Sequence, residues 1–211
     1  MCATVNVLKT GYSVFDPESK IMKANCTSSL IRDEGVIVIV DTLTAWDRSL
    51  LIEGLKEKCI QVDDITHVVC THGHSDHIGN LNLFTNAQHI VGQSICHKDE
   101  YIYFSFEEGN PFKISENVEV IATPGHTLSD VSVIVKETTL GTVAVVGDLF
   151  EREEDIENPN LWKNIAGSEN PELQYANREK ILQVADFIIP GHGPGFTVTK
   201  ELRDYHTKLE K

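Results

Sequence analysis

The chain has 211 residues, 41% of them hydrophobic and 24% charged, which suits a single domain over residues 1–211 with a sizeable core. Lys and Arg number 18 against 32 Asp and Glu, and a net charge of −14 excludes a broad basic surface for gripping phosphates. No apolar run approaches the ~20 residues of a membrane span, so no membrane partner is expected.

In chain order, residues 5–12 and 21–31 read as strands, and residues 35–40, rich in Val and Ile, as a buried one. Asp47 is a candidate cap for a helix through Cys59, with Leu50, Leu51, Leu55 and Ile60 as its apolar stripe. Residues 65–70 form the next strand, and residues 77–83 open a further helix. Residues 88–91, 118–122, 131–136 and 142–146 continue the strand pattern. An amphipathic helix over 174–185, with Ile181, Leu182 and Val184 inward, leads to a strand at 187–189, and Thr197 or Thr199 caps a last helix through Lys211. Between these elements, residues 94–115 hold Tyr101, Tyr103, Phe104, Phe106 and Phe112 and read as a lid, a base-stacking platform, a homodimer contact or plain packing. The acidic run 151–157 reads as a solvated face. Cys2, Cys26, Cys59, Cys70 and Cys96 are odd in number and lack a CxxC pair, which fits reduced cytosolic thiols.

The run Thr71-His72-Gly73-His74-Ser75-Asp76-His77 carries the strongest chemical signal. Three imidazoles and a carboxylate within six residues, just after an apolar strand, give one turn four metal-competent side chains. His72 and His74 suit one ion, and Asp76 and His77 a second. His126 follows the run 118–122, Asp148 ends the run 141–147, and His192 follows 187–190. Each stands at the end of a strand beside Gly or Pro, and ligands recurring at strand ends let an α/β protein assemble one site along one sheet edge. His67, His89, His97 and His206 have no partner in these motifs and read as structural.

The order Asp41, His72-x-His74-x-Asp76-His77, His126, Asp148, His192 resembles the five motifs of the metallo-β-lactamase superfamily over essentially the whole chain. That resemblance implies a four-layer αββα sandwich. It also implies that His72, His74 and His126 bind a first metal, that Asp76, His77 and His192 bind a second, and that Asp148 bridges the two. Asp41 would brace the histidine loop by hydrogen bonds without touching metal. Two zinc ions per chain are the expected cofactors, with iron or manganese also compatible. Residues 71–81 with Phe84, 122–126 with 130–133, 140–143, 147–152 and 185–194 with Phe196 are similar to an animal branch of this family, regarded as endoribonucleases acting at the 3′ end of histone pre-mRNA. By that resemblance the substrate is single-stranded RNA, and the location is cytoplasmic and/or nuclear.

Two cations so held would lower the pKa of a bound water and deliver hydroxide to phosphorus or to a carbonyl carbon, with Asp76 as the catalytic carboxylate that orients the proton. A carboxylate at position 148 in place of cysteine argues against antibiotic hydrolysis. A glyoxalase II-like thioesterase or another small-molecule ester hydrolase is the second reading, and a mononuclear iron persulfide dioxygenase the third. A binding protein with a vestigial site is disfavoured, because every ligand position is filled.

Overall fold

The computed structural model describes residues 2–208, with side chains described through residue 204. In chain order the strands are β1 (Thr4–Lys9), β2 (Tyr12–Asp16), β3 (Ile21–Asn25), β4 (Ser28–Asp33), β5 (Val36–Val40), β6 (His67–Cys70), β7 (Gln88–Val91), β8 (Ser94–His97) and β9 (Glu100–Ile102). They continue as β10 (Phe112–Lys113), β11 (Val118–Ala122), β12 (Val131–Thr138), β13 (Gly141–Gly147), β14 (Phe187–Pro190) and β15 (Phe196–Thr197). The helices are α1 (Arg48–Glu57), α2 (Pro171–Val184) and α3 (Lys200–Lys208). One sheet runs β1-β4-β5-β6-β7-β8-β9, the other β10-β11-β12-β13-β14-β15, and β2-β3 is a separate hairpin.

Alternating side chains sort these strands into layers, because successive residues of a strand face opposite ways. Val38 and Val40 point from the first sheet into a core shared with Val118, Val120, Val133, Val135, Val143 and Val145 of the second. Their neighbour Ile39 points outward and packs with Val68 against Leu51 and Leu55 of α1. On the far side Ile134, Ala144 and Ile188 meet Ile181 and Leu182 of α2. Helix, sheet, sheet, helix is the result, the αββα sandwich expected. Burial of a leucine such as Leu51 or Leu55 contributes about 1.5–3 kcal/mol.

Several elements differ from the sequence reading. The stretch 21–31 is two strands, broken at Cys26 and Thr27 as the chain leaves the hairpin for the first sheet. Asp47 makes no side-chain cap; its carboxylate accepts instead from Asn25 Nδ2 at 2.9 Å. Residues 77–83 yield only a short 3₁₀ turn, Leu81–Leu83, because the chain there is spent folding back on residues 42–44: Gly79 N donates to Leu43 O at 2.9 Å, and Asn80 Nδ2 to Thr42 O at 2.7 Å. Val184 is exposed, not inward. Residues 94–115 hold three strands, with Phe104, Phe106 and Phe112 stacked edge-to-face beneath the main core and only Tyr101 and Tyr103 outside. Thr199 Oγ1 accepts from Leu202 N at 3.3 Å at the start of α3, while Thr197 lies in β15. The end of that helix near Lys211, and the His206 side chain, lie outside the described residues.

Topology then aligns the motif loops. β5, β6 and β7 are mutually parallel, and so are β13 and β14, so within each sheet those C-terminal ends share an edge. Val131 N donates to Thr71 O at 2.9 Å, which joins the two edges directly under the histidine loop.

Candidate metal centre

At that joined edge the structure brings together all seven residues singled out as metal ligands. His72 Nε2 and His126 Nε2 lie 2.9 and 3.1 Å from His74 Nδ1, so three ring nitrogens face one point. Tetrahedral ligands on a metal at ~2.0–2.1 Å stand about 3.3 Å apart, close to this spacing. Asp148 extends between two groups of imidazoles. Its Oδ2 lies 3.4 Å from His126 Nε2 and 3.7 Å from His72 Nε2 on one side, and 3.2 Å from His192 Nε2 on the other. Its Oδ1 lies 3.3 Å from His77 Nε2. Asp76 Oδ2 completes the second group, 3.9 Å from His77 Nε2 and 3.8 Å from His192 Nε2.

The other ring nitrogen of most of these histidines is anchored, which fixes how the inner one points. His126 Nδ1 is 2.9 Å from Gly167 O, and His192 Nδ1 is 2.9 Å from Asn25 O. A carbonyl only accepts, so in a neutral ring each Nδ1 carries the proton and leaves Nε2 bare for a cation. His77 Nδ1 lies 3.0 Å from Asp41 Oδ2. The same Asp41 accepts from Thr71 N at 2.8 Å and from Thr71 Oγ1, so it holds the turn and one of its rings together. Asp41 has φ +57, a left-handed conformation that Asp tolerates better than most residues and that aims its carboxylate back under the loop. Gly147, at φ +52, lies against Thr71, and a side chain there would strike the threonine that carries these bonds.

Electrostatics and polar satisfaction both fit cations. Burial keeps the His72 imidazole well below its ordinary range, hence neutral and able to ligate. Burial also opposes protonation of His77 and His192, but the Asp148 carboxylate outweighs it, raising His77 well up and His192 to about 9. Burial likewise disfavours the Asp148 anion, yet the facing His192 and His77 hold it well below the usual carboxylate range. Asp76 Oδ2, His77 Nε2 and Asp148 Oδ1 are buried without a hydrogen-bond partner among the described residues, and three unpartnered ligand atoms facing inward at one spot suit a metal position.

The structural reading of the remaining histidines agrees with the geometry: His89 Nε2 bonds Phe84 O at 2.8 Å and His67 Nδ1 bonds Thr66 Oγ1 at 2.9 Å. Cys70 is a core residue. The acidic run is a correction. Glu153, Glu154 and Glu157 are exposed, but Glu151 and Asp155 are buried, at 2% and 0% exposure. Asp155 pairs with the buried Arg178 of α2. Glu151 lies beside Asp148 and His192, and burial together with the Asp148 charge pushes its carboxyl up to about 8. Five acids within seven residues resemble a solvated face, and the one signal against it is Arg178, more than twenty residues downstream.

Residues 23–114 match the metallo-beta-lactamase superfamily profile. The chain is 45% identical over 209 residues to Metallo-beta-lactamase domain-containing protein 1 of Xenopus laevis, covering 97% of this chain and 87% of that one. It is 43% identical to the Homo sapiens protein of that name, over 81% of this chain but only 63% of the relative's length. A Methanocaldococcus jannaschii protein named as a probable metallo-hydrolase is 34% identical, over 77% of this chain and 82% of its own. Among solved structures, Bacillus thuringiensis AiiA with N-decanoyl-L-homoserine at its active site superposes with TM-score 0.66 at 18% identity, over 92% of this chain and 94% of that one. AidC, a dizinc quorum-quenching lactonase, does so with TM-score 0.60 at 18% identity, over 82% and 73%. Matched along nearly its whole length by a relative of that name, and folded as the sandwich those structures share, the chain belongs to the metallo-beta-lactamase superfamily.

Proposed function

We propose that this chain is a metal-dependent hydrolase working with two divalent ions, zinc in the first instance, on single-stranded RNA. The observation that carries the two-ion reading is the position of Asp148, whose carboxylate lies between two imidazole groups, Oδ2 reaching His126 on one side and His192 on the other while Oδ1 faces His77. When bound, such a pair of ions activates water and polarises the bond to be cut. The chain's own residues set the geometry. Asp148 fixes the spacing of the two positions, and the anchored rings of His126, His192 and His77 prevent the donors from swinging away. Asp76, with 17% of its side chain exposed and Oδ2 turned toward the second position, would take the attacking water's proton through its other carboxylate oxygen. RNA as substrate is supported by the shared motifs of the animal branch. With 32 acids against 18 bases, the grip on RNA is short-ranged, so log affinity falls only shallowly with log salt.

The same acidic surface favours a second reading, hydrolysis of a small ester, thioester or lactone, and the lactonase-like neighbours have the same sandwich. A side-by-side assay of a short RNA, an acylated glutathione thioester and an N-acyl homoserine lactone, with Asp148→Asn as control, separates them. RNA cleavage that disappears in the variant supports the first reading. Thioester or lactone turnover far above RNA cleavage, lost in the variant, replaces it with the second. About two zinc ions per chain are expected by elemental analysis of protein purified without added metal. A single iron would overturn the hydrolase reading in favour of a mononuclear oxygenase.

A further inference from the structure

One carboxylate beside the metal cluster has no part in the ligand set above. Glu151 is 2% exposed, and its Oε1 is buried without a hydrogen-bond partner. Burying a carboxylate oxygen unsatisfied is unfavourable, and a cation nearby would remove that penalty. The residue is nevertheless held firmly. Ser13 Oγ donates to Oε2 at 3.0 Å, Glu151 N donates to Asp155 Oδ2 at 2.7 Å, and His192 N donates to Glu151 O at 2.8 Å. Neither nearby arginine forms an ion pair with Glu151 among the described residues: Arg178 pairs with Asp155, and Arg152 Nη2 approaches Ser13 Oγ at 3.4 Å while its Nε is buried without a hydrogen-bond partner. One donor atom each of Glu151, Asp148 and His192 lies within 4.8 Å of the others.

We propose that Glu151 is a further ligand of the second metal position, joining Asp76, His77, Asp148 and His192. The two positions are then chemically unequal. The first has three imidazoles and a shared carboxylate, a set suited to zinc. The second has two imidazoles and three carboxylates, an oxygen-rich set that accepts harder ions such as manganese(II). Glu151 is what tips that balance, and Ser13, on the β2–β3 hairpin, positions it by holding Oε2.

This inference rests on the two-ion reading, and the test separates the two. Metal-free protein is loaded with one equivalent of zinc and titrated with manganese(II), the free manganese being read by electron paramagnetic resonance. The native chain is expected to take up one manganese. Glu151→Gln is expected to bind it at least about tenfold more weakly while retaining the zinc. Ser13→Ala, a milder change, is expected to weaken manganese several-fold and gives the answer if Glu151→Gln does not fold. Manganese binding unchanged in a folded Glu151→Gln protein overturns the proposal. So does a native chain that takes a second zinc but no manganese. A native chain that takes one ion in all overturns the two-ion reading itself.

Discussion

Individual ring nitrogens decide what this site can hold. The carbonyls of Gly167 and Asn25 set the tautomers of His126 and His192, and Asp41 does the same work for His77. Residues that supply the inner donors should therefore outrank those that brace them. His126→Ala is expected to lose metal at the first position, and Asp41→Asn to weaken metal only about 10–100-fold by loosening the turn. His67→Ala and His89→Ala should leave metal content unchanged, because both rings bond elsewhere. Elemental analysis of the four proteins checks the ranking, and equal mild losses from all four would contradict it. The candidate ligands were legible in sequence because a metal site needs several donors of one chemical type, and three of the histidines share one turn. Glu151 was not, since a lone glutamate in an acidic run gives no sign of which carboxylate turns inward.

Helix α2 is the element that holds the Asp148 loop in place. Gln174 Nε2 donates to Asp148 O at 3.0 Å, and Arg178 Nη1 to Leu149 O at 2.7 Å. The Arg178 guanidinium also lies 3.9 Å from the Phe150 ring centre and 4.9 Å from that of Trp162. Removing one partner of a buried pair leaves the other charge uncompensated, so Arg178→Met is expected to cost about 3–5 kcal/mol with Asp155 left without its cation. In a chain of this size that lowers Tm by about 10 °C, measurable by thermal circular dichroism. Phe150 and Trp162 look like ordinary core residues in sequence, and the arginine between them has no local pattern to reveal it. By contrast α2 carries a local start signal that places its first turn at Pro171, three residues before the start read from the apolar pattern: Asn170 accepts from Leu173 N at 3.0 Å, with Pro171 following.

At the scale of the molecule, a carboxylate ties the turn of the first sheet to the second. Asp33, at the end of β4, accepts from Ser115 Oγ at 2.6 Å and from Asn117 Nδ2 at 3.1 Å, just before β11. Slight burial pushes its carboxyl up, but these hydrogen bonds prevail and hold it below the ordinary range. A depressed folded pKa stabilises the fold above the unfolded value of about 3.9, and that stability is lost as pH falls through the lower folded value. Denaturant unfolding at pH 7 and pH 3 should therefore show a smaller acid loss in Asp33→Asn than in the native chain. Identical losses would show that the tie does not respond to protonation.

Alternating valines and isoleucines dictate two-faced strands, and the histidine turn marks a candidate metal site; both follow from the residues alone, since side-chain period and ligand chemistry are local properties. The four-layer order needed the resemblance to be read, and the structure accounts for it: Val38 and Ile39 are neighbours in sequence yet belong to different cores. The aromatic run 94–115 and the acidic run 151–157 were decided by tertiary contacts. Phe104 and Phe112 pack beneath the core because the chain crosses there from β9 at the edge of the first sheet to β10 at the edge of the second, and Asp155 is buried because Arg178 arrives from another element. A charge or a ring reveals its own chemistry in the sequence, but its burial depends on what the rest of the chain brings against it.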